Sequence, residues 1–336
     1  MRYLVSADET ATCRGELVGY CYRLFGSYAE AKDAVQETML RAWQHRDTFA
    51  GRASVRTWSY RIATNVCLDT RRAPQRRSLP MDLTAPGSVP RDPTTLITRP
   101  EAPWGGPIAD AHLADSRDPA DAAAQRESVR LAFVTALQVL PPRQRVTLIL
   151  RDVLSWSAQE CADLLGITVA AVNSALARAR KALSEHDAGA PTTASTSASV
   201  EEGRLPTSYI LAFEAYDVDR LVALLAEDAA FSMPPYELWL RGVTQIEQWW
   251  RGPGQVCRNS RTITTRANGQ PAVAVCHAVG DGRWEPFAVH VLDSEAIDGE
   301  PRITAITHFM GPVVFAEFTL PDELTDQFSG AASSTS

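Results

Sequence analysis

The sequence predicts a multidomain chain: two all-α domains followed by an α+β domain. Three observations predict it. Apolar residues recur at three- and four-residue spacing across residues 12–72 and again across 122–183. Between those blocks, Pro74, Pro80, Pro86, Pro90, Pro93, Pro100, Pro103, Pro107 and Pro119 exclude long helices. After residue 204 the pattern changes to strand-like runs rich in Val, Ile, Thr and aromatics. A chain of 336 residues has room for two or three cores.

In the first block, Leu17, Tyr20, Cys21, Leu24 and Phe25 form one apolar series, and Ala34, Val35, Thr38, Met39 and Ala42 form a second. Gly26-Ser27 punctuates them, and Gly51-Arg52-Ala53-Ser54 precedes a third series of Trp58, Ile62 and Val66. This gives a compact helical domain over residues 1–77, then an extended linker over 78–122. A second helical domain spans 123–187, broken at Leu140-Pro141-Pro142 and at Gly166. Residues 188–203 have the Ala, Ser, Thr, Gly and Pro composition of a flexible tether. The third domain, 204–325, should open with helices at Tyr209–Tyr216 and Val218–Leu225. Strands are expected at 229–233, 261–266, 272–278, 287–292 and 303–309, and residues 326–336 read as a disordered tail.

An apolar fraction of 45% and a charged fraction of 22% fit an ordinary globular protein. No run is long enough to span a bilayer and no signal-peptide core is visible, so a cytoplasmic location with no membrane partner is expected. The six cysteines are scattered and no His stands at zinc-ligand spacing, so no metal or other cofactor is expected. The net charge of -7 is unevenly spread. Residues 1–190 hold 24 basic against 21 acidic side chains, and the remainder holds 9 against 19. Residues 38–77 carry nine arginines against Asp47 and Asp69, a patch suited to a polyanion.

The clearest local pattern is a helix-turn-helix. Ser157-Ala-Gln-Glu160 reads as a capping box, Cys161, Leu164 and Leu165 as a buried face, Gly166 as the turn, and Thr168 as the next N-cap. In the second helix Val172, Leu176, Ala179 and Leu183 point inward. Ala170, Ala171, Asn173, Ser174, Ala177, Arg178 and Lys181 point outward, a face that is small at one end and basic at the other. Such a helix fits the major groove.

With Leu137-Gln-Val-Leu-Pro-Pro-Arg-Gln-Arg145 and Leu148-Ile-Leu-Arg-Asp-Val153 before it, this segment resembles region 4 of sigma-70-type initiation factors. Cys21–Ser27, Asp33–Trp43 and Arg56–Asn65 resemble region 2. The two matches, joined by a linker in place of region 3, resemble the extracytoplasmic-function group. The resemblance implies two partners, core RNA polymerase and promoter DNA. It assigns polymerase docking to Asp33, Gln36, Glu37, Leu40 and Arg41, although Lys32 stands where the family usually carries an acid. It assigns recognition and opening of the downstream promoter element to Phe49, Trp58, Tyr60, Arg61 and Asn65, with Arg71 and Arg72 on the backbone. Aromatic faces beside arginines suit unstacked bases. Trp58 and Ile62 are four apart, a spacing that suits core packing equally well. The upstream element falls to Thr168, Ala170, Asn173, Ser174, Ala177, Arg178 and Lys181. The resemblance implies a linker that threads toward the polymerase active site, and Trp104 is a candidate anchor for it on polymerase or on the third domain, or equally a hydrophobic peg on the nearest neighbour.

The third domain resembles the SnoaL-like branch of the nuclear-transport-factor-2 fold through Tyr209–Val222, Leu225–Pro235, Trp239–Val243 and Asn268–Ala272. That implies a cone-shaped α+β domain with a pocket suited to a small apolar ligand. Phe231, Met233, Tyr236, Trp239, Trp249, Trp250, Trp284, His290 and His308 are candidates for its lining. His290, His308, Asp217, Asp228 and Tyr236 could supply acid–base chemistry, but fold alone does not license an activity and no catalytic residue is assigned. The expected role is regulation in cis, through an intramolecular contact with region 2, region 4 or the linker. Two other readings are a helix-turn-helix repressor with a ligand-binding domain, and a SnoaL-like isomerase or cyclase fused to a DNA-binding region.

Overall fold

A computed structural model describes residues 7–49, 51, 54–69, 77–99, 102–113, 119–187, 204–280 and 283–318. The expected tether at 188–203, the tail at 326–336, and Arg71 and Arg72 lie outside the described residues. The chain forms two compact units, residues 1–77 with 112–192, and residues 78–111 with 193–336.

In the first unit, helices α1 (Ala7–Phe25), α2 (Tyr28–Gln44) and α3 (Val55–Asp69) form a three-helix bundle. Gly26 takes a left-handed φ of 67°, and its N–H donates to the Tyr22 carbonyl at 2.7 Å, which ends α1. Ser27 then caps α2 by accepting from the Glu30 N–H. Leu17, Tyr20, Cys21, Val35, Ala63 and Val66 meet in the core, where the hydroxyls of Tyr20 and Thr64 share a 2.8 Å hydrogen bond. A buried hydroxyl without such a partner would oppose folding.

A four-residue helix α4 (Pro80–Leu83) lies in the linker, followed by α5 (Pro119–Val129), α6 (Leu131–Leu137) and α7 (Pro142–Leu148). α7 runs into a π-helical turn at Ile149–Val153, followed by α8 (Ala158–Leu165) and α9 (Val169–Asp187). The capping box closes at both ends. The Glu160 N–H donates to Ser157 Oγ at 3.1 Å, and the Ser157 N–H donates to Glu160 Oε2 at 2.8 Å. Gly166 turns the chain at φ 64° and the Ala171 N–H donates to Thr168 Oγ1 at 3.2 Å.

The second unit contains α10 (Arg204–Glu214), α11 (Val218–Ala223), β1 (Leu225–Ser232), β2 (Trp239–Arg241), α12 (Val243–Arg251), β3 (Arg261–Ala267), β4 (Gln270–Gly280), β5 (Arg283–Ile297), β6 (Glu300–Met310) and α13 (Pro312–Ala316). The six strands form one open sheet in the order β2-β1-β6-β5-β4-β3, antiparallel except for the β1–β6 pair. The sheet is not closed. α10, α11 and α12 contribute Tyr209, Phe213, Leu221, Ile246, Trp249 and Trp250 to a core shared with Phe231, Val273, Val275, Leu292 and Ile306.

Ser157→Ala removes one half of the capping box and should lower the stability of region 4 by about 1 kcal/mol. Gly166→Ala should cost about as much, because a Cβ at that left-handed φ is strained. Thermal unfolding of each variant measures both, and an unchanged midpoint for Gly166→Ala would contradict the turn geometry.

Candidate functional site

Helix α2 buries Ala31, Ala34, Val35, Thr38 and Ala42, so its opposite face is free for a partner. Asp33, Gln36 and Leu40 are exposed on that face. Glu37 and Arg41 are half-buried and joined by a 2.6 Å ion pair one turn apart. The expected docking residues therefore share one surface. It continues into Trp43, which is 64% exposed with the Arg46 guanidinium 4.7 Å from its ring centroid. Sequence reasoning passed over Trp43, although its position outside the inward series of α2 was a visible signal.

In α3, Arg61 and Asn65 are exposed, while Phe49 and Trp58 are half-buried with ring centroids 5.1 Å apart. Trp58 thus packs on Phe49 and keeps a face accessible. Tyr60 differs from the expectation. It is 0% exposed, lies between Tyr20 at 5.1 Å and Trp156 at 5.3 Å, and its hydroxyl donates to Glu16 Oε2 at 3.3 Å. Burial, with Glu16 beside it, pushes the phenol above its ordinary value. Tyr60 belongs to the core because it shares the inward face of α3 with Ala63 and Thr64, which spacing alone did not separate from the solvent face.

On α9, Val172, Leu176 and Ala179 are buried, whereas Thr168, Ala170, Ala171, Asn173, Ser174, Ala177, Arg178 and Lys181 are all exposed. Arg180 is held by Asp152 of the π-helical turn through bonds of 2.9 and 2.7 Å. This links α9 to the π-helical turn that precedes α8. The outward face can enter a groove, with Arg178 and Lys181 at its basic end.

The interior of the third domain is aromatic. His290 on β5 and His308 on β6 are cross-strand partners whose rings stack at 3.4 Å and 2°. Tyr209 Oη is 3.0 Å from His290 Nδ1, and Phe213 and Phe231 flank the pair. Met233, Trp249 and Trp250 are buried in the same cluster and Tyr236 packs at its edge. Two candidate lining residues lie elsewhere. Trp239 donates its indole N–H to the Thr84 carbonyl of the linker at 2.8 Å. Trp284 donates to the Asn259 carbonyl at 2.9 Å beneath Arg261, well along β5 from His290. The candidate acids are also engaged elsewhere: Asp217 caps α11 and Asp228 lies 3.6 Å from Arg241. Among the described residues, no group of three or more His, Cys, Asp or Glu could hold a metal ion. Burial pushes His308 down to about 3, and burial with the neighbouring His308 and His277 holds His290 well below its ordinary value. Both rings are neutral, and their Nε2 atoms have no hydrogen-bond partner.

The linker packs on the third domain along most of its length. The Gly87 N–H donates to the Trp239 carbonyl at 2.9 Å, Arg99 N–H to Pro235 O at 3.0 Å, and Glu237 N–H to Ile97 O at 3.1 Å. Arg99 also pairs with Glu237. Farther on, Ile108 N–H donates to Asn268 Oδ1 at 3.1 Å and Asn268 N–H returns a bond to Ile108 O at 2.9 Å. Asp110 accepts from Arg266 Nε at 3.1 Å and from the Gly269 N–H at 2.8 Å. Trp104 turns back on the linker itself, donating to the Arg99 carbonyl at 2.7 Å.

Two protein-family profiles match the chain, Sigma-70 region 2 over residues 11–77 and Sigma-70 region 4 over residues 130–183. The chain is 44% identical to the ECF RNA polymerase sigma factor SigG of Mycobacterium tuberculosis, across 94% of this chain and 84% of that protein. It is 30% identical to the ECF RNA polymerase sigma factor SigJ of the same organism, across 96% and 94%. The crystal structure of SigJ superposes with a TM-score of 0.60 over 94% of this chain and all of that one, at 22% identity, a likeness of fold. No single helix among the described residues is long and apolar enough to cross a membrane.

The two histidines set a pH dependence. They are neutral in the folded domain and titrate near 6.5 once unfolded, so the unfolded chain binds protons first as pH falls. Third-domain stability should be full above about pH 6.5 and decline below it, by up to about 1.4 kcal/mol per pH unit per imidazole. Thermal unfolding between pH 7 and 5 measures this, and His308→Leu should flatten the profile. A midpoint in the unaltered protein that ignores pH over that range would contradict the buried pair.

Proposed function

Because the chain belongs to the extracytoplasmic-function sigma factors of RNA polymerase, we propose that its third domain governs the activity of the factor by holding the linker between regions 2 and 4. The chain is a transcription factor, not an enzyme. It binds core RNA polymerase and promoter DNA and directs initiation, working in the cytoplasm where both partners are found. Region 2 docks on polymerase through Asp33, Gln36, Leu40 and the Glu37–Arg41 pair, with Trp43 as a further apolar anchor. Phe49, Trp58, Arg61 and Asn65 face the downstream element, and the outward side of α9 faces the upstream one.

The observation that carries the regulatory reading is the set of linker bonds between Gly87 and Asp110 and the third domain. A linker that threads into polymerase must present its own backbone there, and here much of that backbone is already bonded. Each bond made to the third domain must be given up or exchanged before the linker can thread. Because the domain is covalently tethered, even a weak hold is well populated.

Run-off transcription with core polymerase tests both parts. Asp110→Ala removes the acceptor for Arg266 and for the Gly269 N–H and should raise the activity of the full-length factor several-fold. A chain ending at Asp187 should exceed it. Equal activity of all three proteins at every promoter and salt concentration would refute the hold. Binding to duplex DNA but not to core polymerase would instead favour a repressor. Arg178→Ala and Lys181→Ala should each weaken promoter binding and lower its salt slope by about one unit.

A further inference from the structure

Regions 2 and 4 pack together within the first unit, and the contact is built in an unusual way. Arg23, in the last turn of α1, reaches out of region 2 to the end of α5. Its Nε donates to Ser128 Oγ at 3.1 Å and to the Ser128 carbonyl at 3.3 Å, and its Nη2 donates to Ser128 Oγ at 2.7 Å and to the Gln125 carbonyl at 3.4 Å. Arg145, on α7 of region 4, reaches the other way. Its Nη1 donates to the Leu24 carbonyl in the last turn of α1 and to Gln138 Oε1 at 2.6 Å, while Nη2 takes the carbonyls of Gln138 and Leu140 at 3.2 and 3.1 Å. Gln138 Nε2 donates back to the Arg23 carbonyl at 3.5 Å. Each guanidinium therefore caps the C-terminal end of a helix across the contact, where carbonyls lack partners and the helix dipole is negative.

We propose that these two arginines form a reciprocal clasp that closes region 2 on region 4, and that the clasp must open before the factor engages polymerase and both promoter elements. This rests on the reading of the chain as a sigma factor. Three features make the clasp a reversible one. Each arginine is 4% exposed, and among the described residues neither has a carboxylate partner. Burial draws both down to about 10, so both remain charged while poorly solvated. Arg145 Nε has no acceptor at all. Opening would hydrate the guanidinium groups and the carbonyls together, so the closed form is held without being deeply stabilised. Closing also engages one residue of the face that reads DNA: the Arg61 Nη2 donates to the Asp163 carbonyl of α8 at 3.1 Å, while Trp156, just before α8, packs on the core residue Tyr60 of α3. Upstream and downstream elements lie at different places on the duplex, and a factor in this state presents them one joined surface.

Hydrogen exchange of the full-length protein tests the clasp directly. Arg23→Met removes contacts made only across the regions, and should speed exchange in the last turn of α1 and in α5 by about 5- to 30-fold while α2 and the third domain keep their protection. Association with core polymerase should tighten by a comparable factor, because the competent fraction rises. Ser128→Ala leaves every cation in place and should move both readouts the same way by less. If α2 also loses protection in Arg23→Met, the variant has damaged region 2 itself and Ser128→Ala decides the matter. Unchanged exchange in α1 and α5 with Ser128→Ala would then overturn the clasp. Faster exchange without tighter association would overturn its role as a gate. Failure of the unaltered protein to bind core polymerase would refute the sigma reading, and the exchange result would still judge the clasp.

Discussion

Two charged guanidinium groups buried where regions 2 and 4 meet constrain the whole first unit. A cation taken out of water needs acceptors for most of its donors, and carbonyls at helix ends are the acceptors that the backbone supplies. Leu24 at the end of α1, Ser128 at the end of α5, and Gln138 and Leu140 between α6 and α7 present the oxygen atoms that meet this requirement. It also explains why Gln138 is buried: its amide serves both sides, accepting from Arg145 and donating to the Arg23 carbonyl. The apolar partners, Tyr20 and Tyr60 with Trp156, fill the space beside these bonds.

The second unit solves a different problem. A proline-rich chain cannot satisfy its backbone in helices, so its N–H and carbonyl groups need other partners. Here Trp239, Pro235, Glu237 and Asn268 supply them, and the linker becomes part of the third domain's fold. The linker between the two sigma regions is thereby bound into the third domain.

The interior of the third domain points the same way. Two neutral imidazoles lie face to face among Tyr209, Phe213 and Phe231, and the carboxylates that acid–base chemistry would call on are spent on a helix cap and a surface pair. The stacked rings tie α10 to β5 and β6. The linker bonds to the loops around Pro235 and Asn268 beside this interior.

The sequence by itself determined the local structure and most of the exposed face of α9. Capping at Ser157 and Thr168, the left-handed turn at Gly166 and the inward series Val172, Leu176, Ala179 depend on neighbours within one or two turns, and such interactions can be read from spacing. Strand positions in the third domain were legible for the same reason. Helix α12 and the short strand β2 were not, since Trp239 and Trp249–Trp250 read as pocket lining before their elements were known. The tertiary structure decided the rest. It turned Tyr60 into core, sent Trp239 to the linker and Trp284 to the surface of β5, and buried Arg23 and Arg145 where sequence suggests solvent. Each of these depends on a partner at least 25 residues away in the chain. Such pairings are set by which surfaces must leave water together, and no local pattern encodes them.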